Sequence, residues 1–200
     1  MPNASQPGRR SIRLKGYDYA QQGAYFITVC TQRRAFLFGE IADNRMQANE
    51  AGDMVVEEWD ALSMRYRGAH LDAFALMPNH IHAVLFLAPE ENVGAGLVPA
   101  PGSVTSNVGA TTRVAPTLGD VIGAFKSITT VRYARGVETR GWPRFSQRLW
   151  QRNYYEHVVR DDESLQRVRE YIVHNPDLWT VDREDPGAKT CASEREMWRA

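Results

Sequence analysis

Apolar positions along the chain fall into two rhythms, short runs of β-branched and aromatic residues and longer stretches with apolar side chains every three or four places. Tyr25-Phe-Ile-Thr-Val-Cys-Thr31 belongs to the first kind and predicts an opening strand. Arg33 and Arg34 follow, then a short apolar piece, Ala35–Gly39. Over 49–66, Ala51, Met54, Val55, Trp59, Leu62 and Tyr66 line one stripe, which predicts an amphipathic helix. Asp53, Glu57 and Asp60 take its wet side, and Glu58 falls closer to the stripe. Segments 71–77 and 80–87 predict two strands around Pro78-Asn79. Thr117 or Gly119-Asp120 caps a helix over about 121–135, striped by Val121, Ile122, Phe125, Ile128 and Val131 or Arg132. A Gly/Arg/Pro connection over 136–148 leads to a strand or loop-strand over 149–159. Asp161 or Asp162 caps a last helix that stops near His174-Asn175, because Pro176 cannot continue it. Strands with helices between them predict an α+β fold with a mainly antiparallel sheet and helices on one face.

One stretch breaks both rhythms. Between Glu91 and Asp120 the only charge is Arg113, and Asn92-Val-Gly-Ala…Ala100-Pro101 recurs as Asn107-Val-Gly-Ala…Ala115-Pro116. Segment 90–118 therefore reads as a low-complexity flexible insertion inside one domain made of 17–89 and 119–183. Residues 1–16 read as a basic flexible arm carrying Arg9, Arg10 and Arg13, and 184–200 as a polar tail.

Composition narrows the class. At 43% hydrophobic residues, with 24 basic and 24 acidic side chains, the chain has the make-up of a globular protein and no net charge. Bulk polycation behaviour is excluded, while a local basic surface is not. Cys30 and Cys191 are too few for a disulfide framework. No window reaches 18 apolar residues, and the first ten residues lack the apolar core of an export signal. The expectation is a cytoplasmic protein with no membrane partner.

Three features carry chemistry. His80-Ile81-His82 lies in a strand, so both imidazoles point to one face, where they could share a divalent cation. Two structural histidines satisfied by hydrogen bonds would look the same. In the last helix Tyr171 and Asn175 stand one turn apart and can face one site, a phenol beside a neutral oxygen ligand. A core tyrosine and a helix-stopping asparagine are the plain alternative. From Lys126 to Arg160 eight Lys/Arg face two acids, and aromatic residues lie among them. Lys126, Arg132, Arg148, Trp150, Arg152, Tyr154 and Tyr155 in this block, with the arm's Arg9, Arg10 and Arg13, are candidates for following phosphates and stacking on unpaired bases.

Taken together, Met77-Pro-Asn-His-Ile-His82, Leu149-Trp-Gln-Arg-Asn-Tyr-Tyr-Glu-His-Val-Val-Arg160, Arg169-Glu-Tyr-Ile-Val-His-Asn-Pro176 and Gly23-Ala-Tyr-Phe-Ile-Thr-Val-Cys-Thr31 resemble the IS200-like Y1 (HUH) transposase family, of the REP-associated tyrosine transposase type. The resemblance covers about 10–183 without the insertion. It implies a ferredoxin-like sheet, His80 and His82 as ligands of Mg²⁺ or Mn²⁺, and Asn175 as a further ligand. It also implies Tyr171 as the nucleophile that forms a 5′-phosphotyrosine on hairpin-containing single-stranded DNA and leaves a 3′-hydroxyl. Tyr154 and Tyr155 are rival nucleophiles, and His157 and His174 are secondary candidates for proton transfer or phosphate contact. Relatives of this kind work as dimers or monomers, so both states stay open. Two other functions remain: a domesticated hairpin-binding protein without cleavage activity, and a metal phosphoesterase for small molecules.

Overall fold

The structure, a computed structural model, describes residues 23–88 and 116–181. The predicted basic arm with Arg9, Arg10 and Arg13, nearly all of the low-complexity segment and the polar tail lie outside the described residues. In chain order the elements are β1 (Gly23–Cys30), β2 (Gly39–Ala42), β3 (Arg45–Ala48), α1 (Glu50–Asp60), α2 (Leu62–Arg65), β4 (Ala69–Met77), β5 (His80–Leu87), α3 (Leu118–Arg140), β6 (Tyr155–Val159) and α4 (Asp162–His174). Two short 3₁₀ turns, Gln32–Arg34 and Pro176–Val181, complete them.

Four strands form one sheet in the order β4-β5-β1-β6, antiparallel at every junction. β1 reaches β4 through α1, and β5 reaches β6 through α3, each crossover skipping one strand. That is the ferredoxin-like α+β layout. Strand alternation divides the sheet into two apolar faces. Tyr25, Ile27 and Val29 of β1 and Ile81, Ala83 and Leu85 of β5 face the larger core, with Met54, Val55 and Trp59 of α1 and Val121, Ile122 and Phe125 of α3. Phe26, Val84 and Val159 face the other way, onto Val168 and Ile172 of α4. The one-sided helix layer expected from the sequence is thus a two-sided one, because β1 and β5 are apolar on both faces and the second face also needs cover.

Local signals explain most boundaries. Asn49 caps α1, its side-chain oxygen accepting from Ala51 N (3.0 Å) and Gly52 N (2.9 Å). Thr117 and Asp120 form a reciprocal capping box that starts α3 at Leu118, a buried residue, so the fold resumes before the predicted end of the insertion. α3 also runs beyond the predicted 135 and stops at Gly141, whose φ of 70° suits glycine. Its buried stripe steps by four through Phe125, Thr129 and Tyr133 rather than through Ile128 and Val131, and Val131 is exposed. Gly136 continues that stripe where a side chain would run into the Trp142 ring. The β2–β3 hairpin has no counterpart in the sequence reading. Asp43 and Asn44 make its two-residue turn with φ of 52° and 57°, the left-handed pair a type I′ turn requires.

Candidate active site

The alternation that divides the sheet puts His80 and His82 on the α4 face of β5, both fully buried. Their Nε2 atoms lie 2.9 Å apart. His80 Nδ1 is 2.7 Å from Asn79 Oδ1, and His82 Nδ1 is 2.8 Å from Thr28 Oγ1 on the neighbouring β1. Antiparallel register aligns Ala75, His82, Thr28 and Tyr155 as one row across the four strands. The hairpin turn that carries Asn79 is itself anchored: Pro78 O accepts from Leu37 N (2.9 Å) and Phe38 N (3.1 Å), and Thr31 N donates to Asn79 O (2.8 Å).

α4 delivers the other two candidates. Asp161 caps it, Val168 and Ile172 bury its inner face, and Arg169 grips Asp72 of β4 with two hydrogen bonds of 2.8 and 2.7 Å. Arg169 hydrogen-bonding holds the Asp72 carboxyl below its ordinary pKa. Fully burying a Val or Ile side chain is worth about 1.5–3 kcal/mol, so the apolar stripe attaches the helix while the fork sets its rotation. Tyr171 then lies with its hydroxyl 3.4 Å from His82 Nε2. Its ring stands edge-on to Phe26 (centroids 6.0 Å, 80°) and to His82 (5.2 Å, 64°). One turn on, Asn175 is 1% exposed, and its Oδ1 is buried without a hydrogen-bond partner among the described residues. A proline disfavours helical geometry at the residue before it. Asn175 nonetheless keeps φ −58° and ψ −40°, and the chain turns directly into the 3₁₀ segment.

That segment adds a residue the sequence reading did not pick out. Trp179 stacks on the His80 ring (centroids 6.0 Å, 24°) and meets Phe36 edge-on (5.6 Å, 61°). A tryptophan in an increasingly polar stretch was the only signal.

The basic and aromatic block resolves into separate roles. Trp150 is a core residue, packed on Phe38 and Phe125, with Nε1 donating to Thr129 Oγ1 (2.8 Å), so it offers no face to a base. Arg132 pairs with Glu57 (2.9 Å) and Glu58 (2.7 Å) on the α1 side of the sheet, away from the imidazoles. Lys126 donates to Gln151 O (2.6 Å) and Arg152 O (3.0 Å) beneath the Tyr154 ring, and burial pushes its pKa down to about 8. These side chains hold α3 and the 149–154 segment in place. Arg148 and Arg152 are exposed. They flank a segment joined to the imidazole end of β1 by Gln32 N→Leu149 O (2.7 Å) and Gln151 N→Cys30 O (2.8 Å), Cys30 being the residue opposite His80. Tyr155 is on the imidazole face, edge-on to Phe26, whereas Tyr154 packs on the other core. His157 shares the face of Tyr155, with its pKa lowered by burial and by Arg160. His174 is exposed, 3.5 Å from Asp177.

Chemically, the arrangement is two imidazole nitrogens and a phenol on one face, with a buried amide oxygen one helical turn beyond the phenol. Among the described residues no three His, Cys, Asp or Glu side chains gather into a metal cluster. No helix among them is long and apolar enough to cross a membrane.

No family model matches the chain. Two solved structures are similar at 16% identity and a TM-score of 0.44 each: a candidate transposase of Deinococcus radiodurans R1, over 80% of this chain and 95% of that one, and the REP-associated tyrosine transposase bound to a REP hairpin, over 86% and 73%. An uncharacterized protein of Haemophilus influenzae is 34% identical over 184 residues, spanning 90% of this chain and 95% of its own length. On that match the chain belongs to one family with the Haemophilus influenzae protein, and its own motifs resemble those of the IS200-like Y1 transposases.

Proposed function

We propose that the protein is a divalent-cation-dependent single-stranded DNA endonuclease and transposase that cuts through Tyr171 and acts on hairpin-containing, REP-like DNA. The observation that carries this is convergence. Residues from one sheet strand and from a helix some ninety positions later bring the Tyr171 hydroxyl within 3.4 Å of His82 Nε2, itself 2.9 Å from His80 Nε2. The donor set fits Mg²⁺ or Mn²⁺. The two imidazole Nε2 atoms, 2.9 Å apart, could both bind one divalent cation. Asn175 Oδ1 is a buried acceptor with a lone pair to offer. His80, His82 and Asn175 would hold the ion.

When bound, such an ion polarises the scissile phosphate and offsets the negative charge that grows on it. Three neutral ligands leave the ion's positive charge undiminished, which carboxylates would not. Phe26 and His82 fix the Tyr171 ring so that its oxygen attacks phosphorus. A Tyr–O–P bond forms, the P–O3′ bond breaks, and the phenolic proton lost is balanced by the one the 3′ oxygen gains. The 5′-phosphotyrosine keeps the phosphoester for strand joining. Arg148 and Arg152 follow the DNA backbone toward this end of the sheet.

A denaturing-gel assay with hairpin-containing oligonucleotides tests the proposal. The protein should form a covalent adduct with Mn²⁺ and none with chelator. Tyr171→Phe should lose the adduct completely and keep binding, since the ring contacts survive. Adducts from the Phe variant would transfer the role to another tyrosine, and binding without any adduct would favour a hairpin-binding protein.

A further inference from the structure

His80 and His82 make different second contacts, and the difference bears on proton placement. Asn79 Nδ2 donates to Arg34 O (3.3 Å), which turns Oδ1 toward His80 Nδ1 at 2.7 Å. An amide oxygen can only accept, so His80 carries its proton on Nδ1 and presents a lone pair at Nε2. Across the 2.9 Å gap, and with the Tyr171 hydroxyl 3.4 Å from the same Nε2 and able to donate or accept there, His82 has two tautomers open to it. With its proton on Nε2 it donates to His80 Nε2, and its Nδ1 must then accept from the Thr28 hydroxyl. With its proton on Nδ1 it donates to Thr28 Oγ1, and both Nε2 lone pairs face the same point. Only the second arrangement can ligate a cation through both rings.

We propose that Thr28 is a positioning residue that allows His82 to exchange tautomers as a divalent cation binds, its hydroxyl donating to Nδ1 in one state and accepting from Nδ1 in the other. This rests on the cation site argued above. The exchange balances: one proton leaves Nε2 for solvent, one arrives at Nδ1 from solvent, and both rings stay neutral. A hydroxyl suits the position because it both donates and accepts. A carboxylate or carbonyl there would hold His82 permanently as the Nδ1–H form, and a methyl group would support neither form. Asn79 and Thr28 thus divide the work, one fixing its histidine and the other letting its histidine change.

Two-bond ¹⁵N–¹H correlation spectra of the full chain, with histidine nitrogens labelled, read both tautomers directly during a Mg²⁺ titration. His80 should remain Nδ1–H throughout, while His82 changes from Nε2–H to Nδ1–H. By calorimetry Thr28→Val should weaken Mn²⁺ binding by about 10–100-fold, and Thr28→Ser should restore it. A bound cation with an unchanged His82 tautomer overturns the exchange alone, as does a Val variant that binds Mn²⁺ as tightly as the parent. If neither ring of the parent responds to Mg²⁺ or Mn²⁺, the cation site itself is wrong and the exchange falls with it. The spectra need no variant, so a Val substitution that fails to fold does not remove the test.

Discussion

Asn175 Oδ1 is a buried acceptor without a donor among the described residues, and leaving such a group unsatisfied costs about 1–3 kcal/mol. A structural asparagine would not keep that cost, whereas a ligand would recover it on binding. Asn175→Leu should therefore leave the thermal unfolding midpoint in chelator unchanged or raise it. The parent gains about 2.7 kcal/mol when Mn²⁺ stands at a hundred times its dissociation constant, and the variant should gain almost nothing. Melting curves with and without Mn²⁺ read both effects, and a destabilised variant still protected by Mn²⁺ would count against the ligand role. At the same scale, Glu58 shows how a carboxylate survives in a core. Burial alone would push its pKa up, but hydrogen bonds and charge from Arg132 and Arg65 outweigh that and hold it low. A folded pKa below the unfolded one gives stability that is present above the ordinary Glu value near about 4.3 and lost as pH falls beneath it. Glu58→Gln should flatten the acid limb of the stability curve between about pH 3 and pH 5 and lower stability at pH 7 by about 1–3 kcal/mol. An unchanged acid limb would remove Glu58 from that account.

Among the elements, α4 matters most for chemistry, because it brings the phenol to the imidazoles and carries the buried amide of Asn175 one turn further on. Its apolar stripe supplies attachment, and the Arg169–Asp72 fork supplies rotation. Arg169→Ala should thus reduce adduct yield several-fold while hardly moving the unfolding midpoint. Gel quantification beside calorimetry separates the two, and parallel losses in both would mean that the fork only stabilises. The elements also differ in how readily the sequence reveals them. β5 and α4 were legible to within a residue, because one is an apolar run broken only by its two histidines and the other has an acidic cap, a stripe and a closing proline. The β2–β3 hairpin was not, since its strands are short and half-polar and its turn uses Asp43-Asn44 rather than a glycine. The far half of α3 escaped because its buried face includes Thr129 and a glycine. Arg132, Lys126 and Trp150 resembled a nucleic-acid surface on composition, yet partners distant in sequence claimed all three. Spacing alone puts the imidazoles on one face and the phenol and amide on another, and the family resemblance implied that the two pairs meet; Thr28 and Trp179 could not be read at all, since strand register and a 3₁₀ turn bring them there.

Over the whole molecule, the sheet separates its two ends. β5 begins at the imidazole pair and finishes at Leu87, opposite Gly23. At that far end Ala88 N donates to Gly68 O (2.8 Å), and Pro116 approaches the same glycine. The chain thus leaves and re-enters the fold at neighbouring points, a full strand length from Tyr171. The entropy of closing a loop grows only logarithmically with its length. Replacing 89–115 with a short Gly-Ser linker should accordingly leave both the melting midpoint and the Mn²⁺ response within error, and a loss of either would show that this segment belongs to the working fold. If the replacement is neutral, the gap beside Gly68 becomes a grafting port. A fluorescent reporter or a second recognition module could be spliced there, and the cutting machinery at the opposite rim would not register its cargo.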